Sequence, residues 1–125
     1  MSDKEFKAKV AIFQAKFMEL FKAHAALLSG DTAESKSYND YIVRLGAIQT
    51  NESLTEGERG NLLIEEQDFG PMSYVADDLA GDDHDLRNNL HEAMSRTELM
   101  TALVNRANNA PKKPRARKAR AAVAA

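Results

Sequence analysis

The residue types in this chain that could carry chemistry are three histidines, a run of aspartates and a C-terminal cluster of lysines and arginines; there is no cysteine. His24 falls on an apolar stripe, so the expected role is a core histidine. His84 and His91 are seven residues apart, which puts them two helical turns from each other on one face with Asn88 between them. Two such ligands cannot close a tetrahedral metal site without an aspartate from elsewhere. The Glu-x-x-His pattern of di-iron helical bundles is missing, because Phe21, Gly81 and Asn88 stand three positions before the histidines. The sequence therefore gives no ground for naming a catalytic residue, a metal or another cofactor. Without cysteine, disulfides and Cys-ligated zinc or iron–sulfur sites are excluded.

The aspartates Asp77, Asp78, Asp82, Asp83 and Asp85 do not follow the spacing of a calcium loop, which alternates oxygen ligands around a central Gly and ends in Glu. They read as a solvated face with helix capping, and as the candidate surface for docking a protein partner. From Asp31 to Glu98 there are 16 acids against five bases, so this part of the chain would repel a nucleic acid.

Charge reverses at the C-terminus. Pro111–Ala125 holds Lys112, Lys113, Arg115, Arg117, Lys118 and Arg120 and no acid. Taking those six from the 17 basic residues leaves 11 against 19 acids, so residues 1–110 carry about −8 although the whole chain is formally −2. Each cation that neutralises a phosphate releases condensed counterions, which gives the segment a mechanism for binding polyanions. No aromatic residue is interleaved to stack on bases, so such binding would not depend on sequence. An acidic protein, the chain's own acidic surface and a purely solubilising role are the other readings of these cations.

The elements that must position these groups are helical. Phe6, Val10, Phe13, Phe17, Leu20, His24 and Leu27 alternate in steps of four and three, which keeps one stripe on a helix over Asp3 to Ser29, with Gly30 as its stop. Asp31 and Glu34 read as the capping box of a second helix with Tyr38, Tyr41, Ile42, Leu45 and Ile48 inward. Ser53 and Glu56 read as the box of a third, ending near Gly70 and weakened by Gly57 and Gly60. Pro71 opens a short helix to Ala80, stopped by Gly81. A long last helix, about Asp83 to Asn108, carries Leu86, Leu90, Ala93, Thr97, Met100, Val104 and Ala107 at the same alternating spacing.

These elements predict an all-α fold, a four-helix-bundle-like body or an elongated helical hairpin with a short extra helix. Residues 1–109 form the helical domain, and 110–125, broken by Pro111 and Pro114 and poor in apolar groups, form a disordered basic tail. Lys4, Lys7, Lys9 and Lys16 interrupt any signal-peptide core, and no run of about 18 apolar residues could span a membrane. The expected setting is cytoplasmic, or within a particle assembled inside the cell such as a virion. The expected function is non-enzymatic: an assembly or accessory protein whose acidic body docks on a protein and whose tail tethers to nucleic acid or another polyanion. An acidic inhibitor that blocks a basic site on a nucleic-acid-binding protein is the alternative. A metal-dependent helical enzyme built on His84 and His91 stands behind both. The stripes on the two long helices also permit homo-oligomers.

Overall fold

The computed structural model describes residues 2–109; the segment expected to be a disordered tail lies outside the described residues. Five helices follow one another: α1 (Asp3–Ser29), α2 (Ala33–Gln49), α3 (Glu56–Asp68), α4 (Pro71–Ala80) and α5 (His84–Asn109). No strand occurs among the described residues, and no described helix is long and apolar enough to cross a membrane. The fold is all-α, as the periodicity predicts.

Local chemistry sets the boundaries. Ser2 and Glu5 form a capping box that begins α1, and Thr55 and Glu58 form one that begins α3. The second box therefore lies two residues beyond the Ser53–Glu56 pair that sequence spacing suggests. For α2 the cap is Thr32 rather than Asp31, its hydroxyl accepting from the Ser35 N–H. Asp83 Oδ1 accepts from the Leu86 N–H at 3.0 Å, satisfying an orphan donor in the first turn of α5. Gly81 ends α4 with φ 60, a conformation that disfavours any side chain. Gly30 is extended instead; a Cβ there would strike the Ser35 hydroxyl, so the residue is small for lack of room.

α1 and α5 lie side by side and parallel: Phe13 is beside Asn89 and Ala93 at one level, and His24 beside Thr101 further along. α2 turns back across the end of α1, where Asn39 Nδ2 donates to the Leu28 carbonyl at 3.2 Å. α2 packs tightly on α5 at Gly46, where a Cβ would sit 2.9 Å from the Ala102 carbonyl oxygen. α4 closes the core with Met72, Ala76 and Ala80, while α3 has no fully buried residue and rests on α2 through the half-buried Leu63. Leu20, Ile42, Leu45, Leu90 and Met94 fill the centre, each burial contributing about 1.5–3 kcal/mol.

The two long stripes are only partly buried. On α1, Leu20 and His24 are enclosed, but Phe6 is 61% exposed because its stretch of the helix meets only the polar start of α5. On α5, burial follows steps of four through Leu86, Leu90, Met94, Glu98 and Ala102. The alternating set drifts to the surface after Thr97, leaving Met100 and Val104 exposed.

Candidate functional site

At the level where α1, α2, α3 and α5 converge, the core contains a carboxylate. Glu98 is 3% exposed and receives three donors: the Tyr38 hydroxyl on Oε2 at 2.7 Å, the Tyr41 hydroxyl on Oε1 at 2.8 Å, and Gln67 Nε2 on Oε1 at 3.2 Å. Gln67 is held in turn by Ser95, whose hydroxyl donates to Gln67 Oε1 at 2.8 Å while Gln67 Nε2 reaches the Ser95 carbonyl at 3.2 Å. Tyr38 has one proton and gives it to Glu98, so its oxygen accepts from His24 Nδ1–H at 2.6 Å. With Glu98 ionised, that bond places the proton of the buried His24 on Nδ1; its other nitrogen lies 3.4 Å from the Thr101 hydroxyl.

Burial governs the electrostatics. It pushes the Glu98 carboxyl up against the opposing pull of its three donors, and it pushes the His24 imidazole down. The Tyr38 and Tyr41 hydroxyls are held above the ordinary phenol range by burial first and by the Glu98 charge second, so they remain donors. When Glu98 is protonated the relay can run the other way, from Glu98 to Tyr38 to His24. Apart from His24 Nε2, which faces Thr101, the side-chain polar atoms of this set are hydrogen-bonded to one another. The arrangement therefore acts as a lock on helix register, as some buried polar groups do. Aromatic packing reinforces it: Phe13, Phe17, Phe21, His24, Tyr38 and Tyr41 form a continuous ladder with neighbouring centroids 5.6–6.3 Å apart.

This lock is what sequence reasoning did not reach. Tyr38, Tyr41 and His24 fall on inward stripes, but Glu98 and Gln67 are ordinary surface residue types and their partners come from other helices. The available signal was a polar residue four positions after Met94 in a row of inward residues spaced by four.

The predicted docking aspartates are all exposed, and the structure divides them. Asp77, on α4, accepts from His91 Nε2 at 2.7 Å. Asp83 and Asp85 flank the start of α5 beside Lys9 and Ile12 of α1. No described basic side chain lies within ion-pair distance of Asp78, Asp82, Asp83 or Asp85. His84 is engaged separately, with Arg87 Nη2 3.0 Å from its Nδ1, so the two histidines expected on one face have different partners. Among the described residues no three His, Asp or Glu side chains converge as metal ligands. The six basic positions from Lys112 to Arg120 lie outside the described residues.

Two concavities have the size of binding sites. One, about 700 Å³, runs between the exposed Phe6 and Val10 of α1 and Asn89, Ala93 and Arg96 of α5. The other, about 500 Å³, lies where α2 meets the end of α3 and the start of α4. Tyr38, Tyr41, Phe69 and Tyr74 wall it, and Glu34, Glu65, Glu66 and Arg44 rim it. Arg44 Nε donates to Glu66 at 3.2 Å, and its guanidinium carbon sits 5.9 Å from the centroid of the Tyr41 ring. Comparison with protein-family models, with curated proteins and with solved structures finds no match to this chain.

Proposed function

We propose that this protein is a non-enzymatic assembly or accessory component whose acidic helical body docks on a protein partner while its basic C-terminal segment holds nucleic acid or another polyanion. The observation that carries the reading is the partition of charge: about −8 over residues 1–110 against six cations and no acid beyond them. Carboxylates at the α4–α5 turn with no ion-pair partner among the described residues, and the exposed Phe6 and Val10, support a protein-facing surface on the body. The buried lock supports a rigid scaffold, since its polar atoms are spent on one another. Such a division of labour suits a nucleoprotein particle, a phage virion included.

The test is a mobility-shift assay with duplex DNA at low and moderate salt. It compares the full chain with the variant carrying Lys112→Gln, Lys113→Gln, Arg115→Gln, Arg117→Gln, Lys118→Gln and Arg120→Gln. The tether predicts binding by the first and none by the second; equal binding by both removes it. The same turn carboxylates favour one second reading, an acidic blocker of a basic site on another protein. Reversing Asp82, Asp83 and Asp85 to lysine would then abolish capture of that partner while the six glutamines left it intact.

A further inference from the structure

We infer that the aromatic pocket between α2, α3 and α4 is a cation site, and that its occupant is an arginine or lysine side chain of the chain's own segment 110–125. The pocket has the chemistry a guanidinium or ammonium needs. Aromatic faces attract cations, most strongly where water is thinned, and carboxylates beside them add Coulomb attraction. Tyr41 already carries one guanidinium, that of Arg44, which Glu66 neutralises. Phe69 and Tyr74 stand at the mouth, 76% and 59% exposed, with no side chain stacked on either ring among the described aromatic and cation pairs. Glu34 and Glu65 on the rim have no described ion-pair partner. The site is thus walled for a cation and carries more negative charge than Arg44 balances.

Geometry selects the occupant. Tyr41, which lines the pocket, donates its hydroxyl to Glu98, and α5 runs on eleven residues from there to Asn109, about 16 Å along its axis. Arg115 is six residues past Asn109 and Arg120 eleven, a reach of about 20–36 Å if extended. Chain tethering therefore presents these cations to the pocket at an effective concentration of about millimolar order. Occupancy would withhold part of the segment from polyanions, so the pocket would act as an internal competitor. That consequence rests on the tether reading; the occupancy itself does not.

The direct readout is the NMR ring signals of Phe69 and Tyr74 in the full chain at low salt, compared with the six-glutamine variant. Docking in cis predicts clear shifts between the two proteins, unchanged over a hundredfold dilution. Identical ring signals would overturn the proposal, and shifts that vanish on dilution would assign the pocket to a second copy instead. A second measurement uses Phe69→Ala with Tyr74→Ala, and separately Glu34→Gln with Glu65→Gln, all at exposed positions. Each pair should raise affinity for duplex DNA severalfold at low salt by releasing the segment, and unchanged affinity would overturn the competition. If no protein bound DNA, the tether reading would fall and the ring signals would still decide the pocket.

Discussion

The Tyr38 hydroxyl lies 2.7 Å from Glu98 Oε2, joining two helices across 60 residues of sequence at the centre of the core. Tyr38 carries the bond onward to His24, and Tyr41 and Gln67 complete the shell around the same carboxylate. One buried acid thus links α1, α2, α3 and α5.

Glu98→Gln and Glu98→Ala should therefore behave very differently. Glutamine keeps an acceptor oxygen for Tyr41 and Gln67, puts an N–H donor opposite Tyr38, whose own hydroxyl can turn to His24 Nδ1, and removes a charge that burial disfavours, so stability at neutral pH should be equal or higher. Alanine orphans three donors and opens a cavity, which should cost about 2–4 kcal/mol. Urea denaturation of the two variants measures this; equal losses would show that the carboxylate is not the keystone.

The same residue should make stability depend on pH. Burial holds the folded carboxyl above its ordinary value of 4.5, so between the unfolded and folded values the folded state keeps a proton that the unfolded state has released. Wild-type stability should fall, relative to Glu98→Gln, as pH rises from about 4.5 through the folded value, and the gap should then level off. His24 acts in the opposite sense. Its folded value lies below 6.5, so its contribution is complete above that pH and is lost as pH falls below it. Denaturation curves across pH 4–8 read both effects. A gap between wild type and Glu98→Gln that does not change over this range would contradict the assignment.

Much of the body was legible in the residues. Tyr38, Tyr41, Ile42 and Leu45 recur at helical spacing and are buried, and Pro71 and Gly81 bound α4 where their backbone preferences require. The stripes misled where periodicity outlasts cover. Phe6 continues the α1 pattern, yet only the polar start of α5 faces it. On α5 the apolar set Ala93, Thr97, Met100 and Val104 was more conspicuous than the inward row, because that row includes a glutamate. A buried acid is recognisable only through its donors, and these come from helices more than 25 residues away in sequence.

The glycines should separate by what surrounds them. At Gly46 an alanine Cβ would press on the Ala102 carbonyl, and Gly46→Ala should cost about 1–3 kcal/mol as overpacking. Gly60, in the middle of α3 with nothing within 4 Å of a built Cβ, should gain up to about 1 kcal/mol on the same change. Thermal melting of both variants checks the pair. A stabilised Gly46→Ala would mean that α2 and α5 are further apart than described.

The exposed half of α1 should tolerate change that the core does not. Phe6→Ser should leave stability within about 0.5 kcal/mol of wild type, whereas Leu20→Ala should cost about 2–5 kcal/mol. A large loss at Phe6 would mean that this stretch of α1 is covered in solution.

The most direct test of the charge partition is the salt dependence of duplex-DNA binding by the full chain. Six cations predict that log K falls with log salt at a slope of about −5, and that the six-glutamine variant shows no measurable binding over the same range. A slope near zero, or the same slope in the variant, would contradict the account.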